Sequence, residues 1–176
     1  MRLVVVSAGH APASGTSRLG RLIADEVGRR RQGTAVEHIE LRTIATDVVT
    51  ALITGEACPP VHRAIELVRS ADALVLLTPT INASFSGLLK CFLDVLPRDS
   101  LRGLPILMGA TGGTQRHTLV LDQSLRPMLA SLRAVVLPSA LFVTAEEWQG
   151  QAPGPELGER VRASSQELIR FLALSA

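Results

Sequence analysis

Residues 77–97, LTPTINASFSGLLKCFLDVLP, change character in the middle. They open as the end of an apolar strand, pass through small and polar residues, and resume as an apolar helix. The six residues of the passage include no strong acid, base or thiol. Either the loop is only a connection, or it shapes a surface for a ligand that brings its own chemistry.

The same unit recurs on both sides. Upstream, RLVVVSAG (residues 2–9) is an apolar run ended by Ser-Ala-Gly, and TSRLGRLIADEVGRR places Leu19, Leu22, Ile23 and Val27 at helical spacing. TAVEHIEL (34–41) is a shorter strand, and ATDVVTALITG a short helix closed by Gly55. A turn at Pro59-Pro60 opens the helix of residues 61–71, with Ile65 and Val68 inward, and ALVLLT (73–78) is the third strand, which Pro79 is expected to stop. After the helix of residues 86–96 come the strand LPILMGAT (104–111) and a Gly-rich turn. The helix TLVLDQSLRPMLASLRA follows, with a kink or restart expected at Pro127, then the strand VVLPSALFV (135–143). A Gly/Pro-rich loop, EWQGQAPGPE, leads to a closing amphipathic helix from Leu157.

Strands that alternate with helices and read as near-continuous apolar runs predict a parallel sheet covered on both faces. Five such strands predict an α/β, flavodoxin-like, doubly wound five-stranded sheet of order 2-1-3-4-5, built as a single domain over residues 1–176. Ligands of these sheets bind beyond the carboxyl ends of the strands, at the switch point between the first and third. That selects the loops after Val6, Thr78 and Ala110.

Composition narrows the function classes. Apolar residues make up 47% of the 176, which supports a folded core, and the longest apolar runs fall far short of the roughly 20 residues of a membrane span. MRLVVVSAGH reads as strand and loop rather than as a leader, so a cytoplasmic protein is expected. Cys58 and Cys91 form no metal-ligand spacing, so no metal is expected. The one basic run, Arg29–Arg31 by number, falls where a helix ends and complements its dipole. With aromatics at only 3%, nucleic acid is not expected as a partner.

In the first loop, Ser7, Ser14, Thr16 and Ser17 bring hydroxyls to a helix start, where free N–H groups attract an anion, and Gly15 lets the backbone approach closely. G-x-x-x-x-G-K-[ST] and G-x-G-x-x-G are both absent, and the hydroxyls suit a monoester phosphate. Plain N-capping by Thr16 or Ser17 is the other reading. In the second loop, residues 80–84 can present backbone groups to a ligand edge, with Gly87 packing closely behind; Asn82, Ser84 and Ser86 also suit turn and cap positions. In the third, Gly112 and Gly113 follow a buried strand and allow a planar ligand to lie on the main chain, or make a tight turn. His117 reads as a ring or phosphate contact rather than a triad member, because G-x-S-x-G is missing, while His10, His38 and His62 show no ligand spacing. Three mild loops at one switch point leave the hard chemistry to a cofactor. Flavin mononucleotide (FMN) fits them, with its phosphate in the first loop and its tricycle between the other two.

TPTINASFSGLLKCFLDVLP together with ATGGTQRHTLVLDQSLRPMLASLRA resembles the NAD(P)H-dependent FMN reductase family. Within it, the resemblance is nearest to the branch that supplies reduced flavin to luciferase-like or alkanesulfonate-type monooxygenases. RLVVVSAG…SGTSRL matches the family's phosphate loop, and ELRTIATDV its segment after the second strand. The resemblance implies an oxidoreductase that binds FMN, takes hydride from NADH or NADPH, and forms a homodimer or dimer of dimers. It implies that Ser14, Thr16, Ser17 and Arg18 hold the phosphate. Pro79, Thr80, Ile81, Asn82, Ala83, Ser84 and Phe85 would border the ring, with Thr111, Gly112, Gly113, Thr114 and His117 on its other side. No protein acid or base is implied, so no residue is expected to be catalytic. The family usually carries an aromatic where Ile81 stands, and often a tyrosine or histidine at Phe85. An aliphatic Ile81 implies looser FMN that departs as a substrate, and the resemblance to that branch implies a flavin-dependent monooxygenase as its recipient. A quinone, azo-dye or metal-ion reductase that retains FMN, and a flavodoxin-type electron carrier, are the alternatives on this fold.

Overall fold

The computed structural model describes residues 1–174. Five strands lie parallel in the order β2-β1-β3-β5-β6, where β1 is Arg2–Ser7, β2 Ala35–Glu40, β3 Ala73–Ile81, β5 Pro105–Gly112 and β6 Val135–Thr144. A sixth, β4 (Ser84–Phe85), turns back antiparallel on β3. This is the expected flavodoxin-like order, with the short hairpin added.

The apolar runs follow from burial on both faces. Val4, Val6, Leu74 and Leu76 pack on one side of the sheet, and Leu3, Val5, Val75 and Leu77 on the other. Helix α1 (Gly15–Arg30) joins the second cluster through Leu19, Ile23 and Val27, as does α6 (Pro155–Leu174) through Leu157, Val161 and Leu168. The opposite face carries α2 (Ala45–Thr54), α3 (Pro59–Arg69), α4 (Gly87–Val95) and α5 (Arg126–Ser131), with Phe92 at its centre. Fully burying each of these large side chains contributes roughly 1.5–3 kcal/mol, so polar alternation has no place in the central strands.

Local signals behave as their chemistry requires. Gly55 closes α2 in the left-handed conformation at φ 76°, and Ile65 and Val68 are buried. Pro59 and Pro60 form the first turn of α3 rather than a turn before it, since the missing N–H of proline is unneeded there. Near Pro127 the helix restarts: a π-turn at Leu121–Leu125 precedes α5, and proline sits in the first turn of α5. The Gly/Pro-rich loop holds a two-residue ribbon, β7 (Trp148–Gln149) with β8 (Ala152–Pro153), and α6 begins two residues before Leu157.

Pro79 does not stop β3, which runs on to Ile81. Leu77 accepts from the N–H of Ala8 on the β1 side, so the N–H of residue 79 faces the same side. There β1 pairs no further than Ser7, so the ladder on that side has ended where proline lacks its donor. Meanwhile Pro79 pairs with Thr111 of β5.

Candidate functional site

The loops after β1, β3 and β5 rise from the same end of the sheet, and two side-chain hydrogen bonds tie them together. Thr16 Oγ1 lies 2.7 Å from Thr111 Oγ1, which joins the first loop to the third. His10 Nε2 lies 2.9 Å from Ser86 Oγ, which joins the first to the second.

In the first loop Ser14 is the N-cap of α1, its Oγ accepting from Thr16 N at 3.1 Å; the cap is neither Thr16 nor Ser17. Thr16 and Ser17 stand buried in the first turn, and Ser17 Oγ pairs with Ser7 Oγ at 3.0 Å. A hydroxyl donates once, so each pair uses one proton and leaves the other free for an anion. A Cβ on Gly15 would meet nothing within 4 Å, which leaves the helix terminus open to a ligand. Gly9 is needed for a different reason, because its Cβ would fall 1.9 Å from Ser14 Oγ. Arg18 does not join the hydroxyls. Its guanidinium stacks 3.8 Å from the centroid of Trp148 and donates to the Gly150 carbonyl at 3.0 Å, so it holds the β7–β8 ribbon beside the loop.

The second loop is a hairpin. Thr80 pairs with Phe85 and Ile81 with Ser84, and Asn82 and Ala83 make the turn with φ of 49° and 59°. Positive φ at both central positions is the turn whose twist suits a two-residue hairpin. Ser86 caps α4 by accepting from Leu88 N, and its own N–H donates to Thr78 Oγ1 at 2.8 Å. Gly87 does not pack closely, since its Cβ would meet nothing within 4 Å. Thr80 Oγ1 is buried without a hydrogen-bond partner among the described residues. Ile81 stands 37% exposed, at the rim.

Ala83 has no side-chain reason to adopt the left-handed region, which is strained for an L-residue. We expect Ala83→Gly to stabilise the chain by about 0.5–1 kcal/mol, raising the melting temperature by about 1–4 °C. Calorimetric scans of the two proteins test this, and an unchanged or lower value would show the turn unstrained.

In the third loop the paired glycines differ. A Cβ on Gly112 would fall 2.6 Å from Phe142 Cζ, so this glycine is dictated by packing beneath the loop. Gly113 has nothing within 4 Å of its Cβ position, and a ligand can lie against its main chain. Thr114 adjoins it. His117 sits exposed on a short 3-10 turn, with no hydrogen bond to the other loops among the described residues. The loop is braced from below by Glu147, which accepts from Thr144 N at 2.7 Å and Arg160 Nη1 at 2.6 Å, and from Gln115 Nε2 at 3.3 Å.

Sequence reasoning passed over His10, Ser86 as a tether, Gly9 and Trp148. Only Trp148, the single tryptophan, carried a signal of its own. Among the described residues no group of His, Cys, Asp and Glu is arranged to hold a metal. The site therefore offers hydroxyl donors, a helix terminus, open main chain and an apolar edge.

The chain matches the family model described as NADPH-dependent FMN reductase over residues 1–149. It is 34% identical to the NADH-dependent FMN reductase SfnE of Pseudomonas putida, over 96% of this chain and 91% of that protein. It is 32% identical to an FMN reductase (NADPH) of Pseudomonas aeruginosa, over 84% and 78% of the two chains. Among solved structures it superposes on an oxidoreductase from Corynebacterium diphtheriae with a TM-score of 0.91 at 34% identity, covering 99% and 98% of the two chains. The apo form of the NADH:FMN oxidoreductase EmoB follows at 0.87 and 27%, with 97% and 89% covered.

Proposed function

Because the chain belongs to the NADPH-dependent FMN reductase family, we propose that it transfers hydride from NADH or NADPH to FMN and releases the reduced flavin. The carrying observation is the Thr16–Thr111 tether, which sets the hydroxyl-lined start of α1 beside the open main chain of Gly113. One ligand with a phosphate at one end and a flat ring at the other fits that pair of features.

Ser14, Thr16 and Ser17 hold the phosphate with their free hydroxyl protons and the first-turn amides of α1, with Ser7 behind them and Arg18 fixing the flank. Gly112, Gly113 and Thr114 present main chain to the ring, and Thr111 keeps their loop on the first. His117 borders the outer side of the same loop. Pro79, Thr80, Ile81, Asn82, Ala83, Ser84 and Phe85 form the opposite wall as a hairpin, and the unpartnered Thr80 hydroxyl there can donate to the ring edge. The flavin, when bound, supplies the hydride-accepting chemistry. The chain's share is binding, orientation and exclusion of water from one ring face; no residue is assigned as acid or base.

The half-exposed Ile81 offers no aromatic face, which supports flavin that leaves the enzyme, with a flavin-dependent monooxygenase as recipient. Steady-state oxidation of NADH and NADPH, with and without added free FMN, tests the whole reading. Saturable dependence on added FMN is expected. Stoichiometric FMN retained through purification would instead favour a quinone, azo-dye or metal-ion reductase.

An aromatic ring stacked at a flavin edge adds roughly 0.5–1.5 kcal/mol beyond area burial. Ile81→Tyr is therefore expected to bind FMN about threefold to tenfold more tightly, and to turn over more slowly where release limits the rate. A variant matching wild type in both respects would place residue 81 away from the ring.

The proposal takes the chain as one flavin-binding domain, supported by the one main sheet on which both core clusters pack. A homodimer is supported by Val49, Leu52 and Ile53, which leave an aliphatic stripe of α2 exposed. Residence in the cytoplasm is supported by the free thiols Cys58 and Cys91. No described helix is long and apolar enough to cross a membrane.

A further inference from the structure

At the other end of the sheet, the segment between α4 and β5 meets the turn between α5 and β6. Gly103 N donates to the Arg133 carbonyl at 2.9 Å and Val135 N to the Leu104 carbonyl at 3.0 Å, so the two segments are stitched together. Between them lies a cavity of about 460 Å³, within the size range of small-molecule pockets. Parallel strands place it at the amino-terminal ends of β5 and β6, the pole opposite the loops described above.

Two observations mark this cavity. The first is charge. Arg98, Arg102 and Arg133 line it against a single carboxylate, Asp99. Asp99 is shared, with Arg102 Nη2 at 3.0 Å and Arg133 Nη1 at 3.6 Å, while Arg98 makes no hydrogen bond or ion pair among the described residues. Three guanidinium groups face one carboxylate, an excess of two positive charges carried on side chains open to solvent, Arg102 and Arg133 being 55% and 61% exposed. The second is backbone strain. Four non-glycine residues of the described chain have positive φ: Asn82 and Ala83 in the hairpin, and Asp99 and Arg133 here, at 66° and 62°. Arg133 takes the position after α5 that glycine normally fills, and that conformation directs its side chain to Asp99. Non-glycine residues in this region persist where the surrounding structure enforces them; here Arg133 N donates to the Ala130 carbonyl and Ala134 N to the Leu129 carbonyl, so the end of α5 holds Arg133 in place.

The floor is apolar, formed by Leu93 and Leu101, which are 3% and 2% exposed. We propose that this cavity binds a phosphate monoester carried on a small apolar body. The phosphate, with a charge near −2, neutralises the excess of the arginines, and guanidinium forks match its oxygens. The apolar body lies on the two leucines. The site is separate from the flavin reading and does not depend on it.

Titration calorimetry with phenyl phosphate tests the proposal, run on the protein saturated with FMN so that the phosphate loop of α1 is blocked, and repeated without FMN. Arg98→Ala combined with Arg133→Gly is the decisive variant. It removes two of the three charges, and glycine relieves the strained position, so the fold is retained or stabilised. Saturable binding is expected in both conditions, weakened at least about tenfold in the variant, reduced by added salt, and tighter for phenyl phosphate than for inorganic phosphate. Absence of saturation below about 10 mM phenyl phosphate would overturn the site. So would an affinity that the double variant leaves unchanged, or one no tighter than that for inorganic phosphate.

Discussion

Gly113→Val is expected to raise the FMN dissociation constant by at least about tenfold, a loss of roughly 1.4 kcal/mol or more, with the melting temperature held near wild type. The two readouts separate because of where the side chain goes. A Cβ at residue 113 meets no protein atom within 4 Å, and the backbone there is not in the left-handed region, so the first carbon of a side chain adds no clash to the folded chain. Only a ligand lying against the main chain meets the new methyls. Gly112→Val supplies the contrast. Its Cβ falls 2.6 Å from the Phe142 ring, so overpacking of about 1–3 kcal/mol falls on stability before any ligand is added. Flavin fluorescence quenching and thermal melts on both variants check the pair. A Gly113→Val protein that binds FMN as wild type does would remove the third loop from the ring's surroundings.

FMN is expected to bind at least about a hundredfold more tightly than riboflavin, and Thr16→Val to remove about half of that difference on the free-energy scale. Hydrogen bonds to a charged group contribute roughly 1.5–3 kcal/mol each, so two at the phosphate amount to about 10²–10⁴ in affinity. Valine keeps the shape of Thr16 and removes its hydroxyl, so FMN should weaken by about tenfold to a hundredfold while riboflavin is unaffected. The Thr111 hydroxyl, 2.7 Å away, makes the test sharper. If FMN and riboflavin weaken together, Thr16 acts by holding the third loop in place and not by touching phosphate. Equal affinity of the wild type for the two flavins would dismiss the phosphate loop itself.

Much of the frame was legible residue by residue. Val4 to Val6 and Leu74 to Leu77 read as buried strands because each face of the sheet packs on its own layer of helices, and a strand buried on both sides has no polar alternation to keep. Gly55 read as a helix stop because a residue at φ 76° is one that glycine adopts freely. The three loops were legible because strand order dictates which loops share an end of the sheet.

What each loop residue does there was decided elsewhere in the chain. Pro79 looked like a strand stop, yet whether its missing N–H matters depends on how far β1 reaches along β3. Gly112 and Gly113 are neighbours of one type, but the Phe142 ring beneath makes one a packing necessity, while the other faces open space. Arg18 reads along the chain as a residue of the first loop alone, yet its guanidinium lies over Trp148, 130 residues on. His10 carried no signal, because its partner Ser86 is 76 residues away and meets it only when both loops crown the same sheet. Periodicity, caps and apolar runs are short-range properties, set by backbone geometry and by water, so the five main strands and the helices between them can be read along the chain, while β4 and the β7–β8 ribbon cannot. Hydrogen-bond partners and van der Waals neighbours act within a few ångströms of space whatever their separation along the chain, so those follow from how the folded elements meet.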